Sequence, residues 1–170
     1  MALTQVIGRG LGTQTTLAGS NTLVLDTDGI MTRPLQPAFS VTKSGHQSDY
    51  SGTSAVTFDT ERFDQNGDFS SNTFTAPVTG RYQLSFNLYM DGITQAANWY
   101  EAQLVTSNRS YYFIFDPDFG QNNAYWNLNA SLLVEMDAND TATVVIGAHS
   151  GASGTNDLNM VSSFHGFLAC

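Results

Sequence analysis

Between Arg81 and Met90 the chain alternates without a break. Tyr82, Leu84, Phe86, Leu88 and Met90 are apolar, while Arg81, Gln83, Ser85 and Asn87 are polar. A period of two places these sets on opposite faces of a sheet, so the spacing predicts a long strand over 81–90 with one face in a core. Shorter runs over 38–43, 55–63, 73–76, 99–107, 111–115, 125–136, 141–148 and 160–169 predict further strands. Turn-forming tracts separate them, among them Asn66-Gly67, expected as a hairpin turn, and Asp91-Gly92, expected to end the long strand. No segment has a helical period and no repeat is present. Many short strands parted by turns predict an all-β fold, an antiparallel jelly-roll sandwich.

Two strands are apolar on both faces. In Tyr111-Tyr112-Phe113-Ile114-Phe115 every side chain is large and apolar or aromatic, and Phe164 and Phe167 must point to opposite sides of the last strand. A lone subunit would expose the second face as an apolar patch, which monomers seldom tolerate. Either a loop covers that face or copies of the chain associate, and association is the expectation. Phe39, Tyr111, Phe113, Phe115, Phe164 and Phe167 are the candidates for core or subunit contact.

Residues 1–36 follow another pattern. Gly, Thr and Leu are frequent, only Thr22-Leu23-Val24-Leu25 reads as a strand, and Pro34 and Pro37 make an extended connector. The domain is therefore expected over 37–170, with an N-terminal arm and hinge over 1–36. Leu3, Val6, Ile7, Leu11, Leu17, Leu23 and Leu25 recur along the arm but are too few to build a core. They are candidates for anchoring it to another protein, by edge-strand addition and by insertion of leucines into grooves. Fully extended, 36 residues reach on the order of 110 Å.

Composition narrows the chemistry. Fifteen acidic residues against six basic ones give a formal net charge of −9, which argues against a nucleic-acid partner. Cys170 is the one cysteine, so no disulfide forms within the chain and no Cys-based zinc site exists. It is expected as a plain thiol. His46, His149 and His165 have no metal-ligand spacing, and no phosphate loop, dinucleotide fingerprint or nucleophile elbow occurs. The run Asp64-x-Asn66-Gly67-Asp68 superficially matches a calcium loop but lacks Gly at the sixth position and Glu at the twelfth. No cofactor is expected and no enzyme. The loop holding Asp116, Asp118, Asn122, Asn123 and Tyr125 mixes carboxylates and amides with an aromatic ring. That combination can stack on and hydrogen-bond a sugar, so a host surface glycan is a candidate ligand. Three glycosylation sequons begin at Asn108, Asn129 and Asn139, but such short motifs are common by chance. No apolar run is long enough to span a bilayer. The first nine residues lack the features of a secretory signal, so synthesis in the cytoplasm is expected.

A family resemblance gathers these features. Phe58, Asp64 and Phe69, then Phe74, Gly80, Tyr82 and Phe86, are spaced much as in the signature of the C1q/TNF-like jelly-roll family. Leu84 stands where that family usually has Phe, and the gap from Phe69 to Phe74 is about two residues short. Ser163-Phe164-His165-Gly166-Phe167-Leu168 resembles the family's closing strand, and Pro37-Ala38-Phe39-Ser40 its opening one. The resemblance implies a homotrimer. It also implies that Asp91, Asp116, Asp118 and Asp157 are candidates for calcium at a trimer apex. Gly29-Ile30-Met31-Thr32-Arg33-Pro34-Leu35-Gln36-Pro37-Ala38-Phe39 resembles the junction before C1q-like domains in bacteriophage fibre proteins, and the first twelve residues are similar to starts of phage virion proteins. The expectation is a non-enzymatic virion structural protein, made in the host cytoplasm. Its trimeric surface module is held to capsid or tail proteins by the arm. The absence of a shaft repeat favours capsid decoration (a cement or head-fibre protein). A receptor-binding tail-fibre tip is the alternative, and a free cellular lectin-like module is a more distant one.

Overall fold

A computed structural model describes residues 15–16, 24–25, 27–50, 52–152 and 156–170. The chain divides into two compact units, Met1–Gln36 and Pro37–Cys170. In the first, β1 (Thr15–Thr16), β2 (Val24–Leu25) and β3 (Met31–Thr32) pair antiparallel in that order. The described residues of the arm thus include three short strands where the sequence pattern indicated one. Val24 and Leu25 form the central strand, not a free edge. Leu3, Val6, Ile7, Leu11, Leu17 and Leu23 lie outside the described residues.

The second unit holds twelve strands and no helix among its described residues: β4 (Ala38–Thr42), β5 (Gly52–Ala55), β6 (Thr60–Asp64), β7 (Phe69–Ser70), β8 (Thr73–Thr75), β9 (Gly80–Ile93), β10 (Trp99–Thr106), β11 (Ser110–Phe115), β12 (Asn123–Met136), β13 (Thr141–His149), β14 (Asp157–Leu158) and β15 (Ser163–Leu168). They build two antiparallel sheets. One runs β12-β9-β15-β4-β6, with β14 also on β9; the other runs β11-β10-β13-β8-β7, with β5 also on β13. This is a jelly-roll sandwich, as the alternation required.

The core lies between the sheets. Tyr82, Leu84, Phe86, Leu88 and Met90 of β9 are all buried, facing Tyr100, Ala102 and Leu104 of β10 and Val144 and Ile146 of β13. Phe39 and Phe164 are core residues, at 1% and 0% exposure. Their rings pack 5.0 Å apart, edge to face, and Phe74 stacks 4.7 Å from Phe39. Gly166 explains the glycine of the closing strand. A Cβ there would collide with Leu84 and lie 2.9 Å from the Gln83 carbonyl oxygen. The strand must pass bare at that point for Phe39 and Leu84 to close over it.

Two turn expectations are corrected. β9 does not end at Asp91-Gly92 but runs on to Ile93, which pairs with Asn123 of β12. Gly92 has φ +73, and Met90 and Ile93 are both buried although three positions apart. The glycine re-aims the strand and does not turn it. Nor is Asn66-Gly67 a hairpin: β6 pairs with β4 and β7 with β8, so residues 65–68 cross from one sheet to the other. Asp64 holds the crossing. Its Oδ1 accepts from the backbone N–H of Gly67 (3.1 Å) and Asp68 (3.0 Å), and its Oδ2 from Phe69 (2.8 Å). The run expected over 55–63 is also two strands, β5 and β6, in different sheets.

Candidate functional site

Strands β11 and β12 each form one border of a sheet, and the two borders lie on the same side of the sandwich. Between them is a seam. Its inner wall is made by Tyr111, Phe113 and Phe115 of β11 and by Trp126, Leu128, Ala130 and Leu132 of β12. All are packed against the core yet only partly buried. Phe113 meets Phe86 edge to face at 5.5 Å, and Phe115 stacks on Tyr100 at 5.2 Å. At one end the loop 116–122 crosses the seam. There Phe119 stacks on Trp126 at 4.9 Å, and Trp126 on Phe115 at 5.1 Å. The loop closes that end only. β12 is fourteen residues long, and neither β11 nor β12 has a second partner strand among the described residues.

A second surface adjoins it, the outward face of the β12-β9-β15-β4-β6 sheet. Cross-strand register sets Leu133, Gln83, Phe167 and Ala38 side by side. The next level on this face carries Ser131, Ser85, His165 and Ser40, with Phe63 opposite Ser40. Phe63, Leu133 and Phe167 are about half exposed, at 53%, 56% and 47%. The polar members bond to one another: Gln83 Nε2 donates to Ser131 Oγ at 2.8 Å, and Ser85 and Ser131 hydroxyls lie 2.8 Å apart. At these two levels the face is uncharged with apolar residues set into it, and Arg81 and Glu135 sit side by side at the level beyond Leu133, whereas the seam presents a row of aromatic and aliphatic groups.

The candidate contact residues therefore separate. Phe39 and Phe164 belong to the core, Tyr111, Phe113 and Phe115 to the seam, and Phe167 to the flat face. Phe63 and Leu133 complete the surface but were not singled out in the sequence. Each was a lone apolar residue on a polar flank, and only the strand register brings them beside Phe167.

In the loop, Asn122 is committed to the fold: its Oδ1 accepts from Gln95 N (3.0 Å) and Thr94 Oγ1 (3.3 Å). Asn123 opens β12 opposite Ile93. Asp116 Oδ1 accepts from Asp118 N at 3.1 Å. Tyr125 stays 65% exposed, its ring 5.7 Å from that of Tyr89. Asp91 and Asp157 are directly paired across β9 and β14. Asp91 Oδ2 accepts from Asn159 Nδ2 (3.0 Å), with His46 Nδ1 at 3.7 Å, and Asp157 Oδ1 accepts from Asp49 N (2.9 Å). Tyr50 is buried nearby. Desolvation, reinforced by Tyr100, Asp157 and Asp91, raises its ionisation far above the ordinary phenol value. No group of three or more His, Cys, Asp or Glu able to hold a metal ion occurs among the described residues.

The signature spacings, the two-sheet topology and the closing strand meet in one comparison: the model of the C1q domain matches residues 38–169. The chain belongs to the C1q domain family. Solved structures place it alike. The globular domain of the zebrafish complement 1qA protein superposes with a TM-score of 0.60 at 22% identity, over 79% of this chain and 98% of that one. Murine APRIL crystallised at pH 5.0 gives 0.52 at 12% identity, over 78% and 98%. At such identities the likeness is one of fold. No curated protein sequence matches the chain. As a C1q domain it has the signature's Phe58, Phe74 and Tyr82 in its core and its Gly80 at the start of the long strand.

Proposed function

We propose that this C1q domain assembles as a homotrimer and serves, without enzymatic activity, as a surface module of a bacteriophage virion. The observation that carries the assembly is the open seam. Phe113, Phe115 and Leu128 are half covered by their own chain, and the β12 edge beside them holds a single charge, Glu135, and no Pro or Lys. Such an edge is a template for association unless something covers it. The flat face with Phe63, Leu133 and Phe167 differs in shape from the seam, so seam against face is a heterologous contact. Repeated about an axis it closes a ring, and trimers are the assembly typical of C1q/TNF-like domains.

The virion assignment is supported by the sequence alone, through the junction over 29–39 and the start of the chain. Within it, capsid decoration is favoured over a tail-fibre tip because no shaft repeat separates arm from domain. The arm attaches the module, and three arms on one trimer bind with avidity. Sedimentation of the full chain tests the assembly: a trimer is expected over the micromolar range, and a monomer overturns it. Removing residues 1–30 tests the arm. The shortened protein should stay trimeric and no longer bind particles, and normal occupancy would place attachment on the C1q domain. Cryo-electron microscopy of the particle then separates capsid from tail.

A further inference from the structure

Residues 65–68 pass between the outermost strands β6 and β7, on the opposite side of the sandwich from the seam. Within them Asn66 and Gly67 are both exposed. Gly67 has φ +75, and nothing lies within 4 Å of the point where a Cβ would stand. An asparagine followed by glycine is well placed to lose its amide, because no side chain shields the glycine nitrogen from the carboxamide. In that reaction the backbone nitrogen of Gly67 gives up its proton and attacks Cγ of Asn66. The new C–N bond closes a succinimide ring, the Cγ–Nδ2 bond breaks, and ammonia leaves with the proton. Water then opens the ring at either carbonyl to give Asp or its isoaspartyl isomer. The sum is amide plus water to acid plus ammonia.

Asp64 opposes the first step. The Gly67 N–H donates to its Oδ1 at 3.1 Å, so the reacting nitrogen is held by a carboxylate that also takes the Asp68 and Phe69 N–H groups. A negative charge beside that nitrogen disfavours loss of its proton, since the anion formed would face a like charge. The carboxamide is held as well, because Asn66 donates a side-chain hydrogen bond to the Asp68 carboxyl. The product fits the crossing badly. Asp68 Oδ2 is buried without a hydrogen-bond partner. Desolvation, and then Asp64, raise the ionisation of the Asp68 carboxyl in spite of the bond from Asn66. Exchanging the amide for an acid removes that donor and sets a third carboxylate beside the other two. The isoaspartyl form also adds a backbone carbon to a crossing whose path three hydrogen bonds fix.

We propose that Asn66 is a site of spontaneous deamidation that Asp64 keeps slow in the folded domain, and that its conversion loosens the border where Phe69 stacks over Phe39. The test is incubation of the full chain at neutral pH, followed by tryptic digestion and mass spectrometry that separates aspartyl from isoaspartyl products. The fragment between Arg62 and Arg81 carries both Asn66 and Asn72. Asn72, whose Oδ1 accepts from the Phe58 N–H at 2.7 Å, serves as the internal comparison. Asn66 should deamidate at least about tenfold more slowly in the folded chain than in urea. Asp64→Ala should raise the rate about tenfold, and Asp64→Asn, which keeps an acceptor without the charge, by less. Phe164→Ala separates the local effect from global opening. It weakens the fold but leaves Asp64 in place, so its rate should stay near that of the parent. Asn66→Asp, standing for the aspartyl product, should melt about 2–4 °C below the parent. Equal rates in the parent and Asp64→Ala, or Phe164→Ala at least as fast as Asp64→Ala, overturn the protection. An unchanged melting temperature in Asn66→Asp overturns the loosening.

Discussion

The sandwich has two borders, and the same residue type meets different fates at each. Behind β6 and β7, Phe39, Phe74 and Phe164 are at most 1% exposed, and Phe69 stacks over Phe39 at 5.3 Å. Behind β11 and β12, Phe113 and Phe115 remain half covered. Each border is crossed by one connection. At the first, residues 65–68 suffice because β7 is two residues long. At the second, loop 116–122 must serve strands of six and fourteen residues, and Phe119 reaches only one end. Strand length thus decides whether the chain completes its own core or leaves part of it to a partner.

The largest effect that sharpens this comparison belongs to the closed border. Phe164→Ala removes a fully buried ring from a set of stacked aromatics and should cost about 3–5 kcal/mol of folding stability. Denaturant unfolding measures it, and a loss under 1 kcal/mol would show that this border is not the finished core described. Phe113→Ala, the matching change at the open border, should act on assembly. Truncating a contact anchor typically costs about 2–4 kcal/mol of association. A shift from trimer to monomer in sedimentation is the expected result, with a smaller change in unfolding. If Phe113→Ala unfolds the chain as severely as Phe164→Ala while the trimer persists, the two borders do not differ in kind.

The closed border has a polar fastening of its own. Asp64→Ala leaves three backbone N–H groups without their acceptor, which should cost about 1–3 kcal/mol. Asp64→Asn should recover part of that loss, because the amide oxygen still accepts. Equal stability of Asp64→Ala and the parent in denaturant would mean that the crossing is held by Phe69 packing alone.

How much of this was legible in the sequence depended on the distance over which each signal acts. Alternation is local, so the long strand, the two-sided Tyr111–Phe115 run and the opposed Phe164 and Phe167 could be read directly. Gly92 and Asn66-Gly67 misled because a positive φ is shared by turns, strand bends and sheet crossings; which one occurs is fixed by pairing partners remote in sequence. That Arg81 and Arg109 line one hollow at the end of the seam could not be read at all. Arg81 and Arg109 are joined only by the meeting of β9, β12 and the β10–β11 turn, and nothing in the spacing of two lone arginines marks them. Phe63 and Leu133 were hidden for the same reason.

The smallest effect concerns the flat face that the open border is proposed to meet. His165 lies between Ser40 and Ser85 in register, with Phe63 one strand further on and no charged side chain directly opposite it. Burial holds its pKa below the ordinary histidine value of 6.5. The folded protein therefore disfavours the imidazolium relative to the unfolded chain. Its contribution to stability is complete above pH 6.5 and is lost as pH falls through the lower, folded value. A partner seam placed over this face would remove more water and strengthen the same trend. Between pH 7 and 5 the trimer should lose stability slightly faster in the parent than in His165→Gln, as read from melting temperature and sedimentation at matched ionic strength. Identical pH profiles for the two would place His165 outside the buried contact, and would shift the proposed interface toward Phe167 and Leu133 at the neighbouring level.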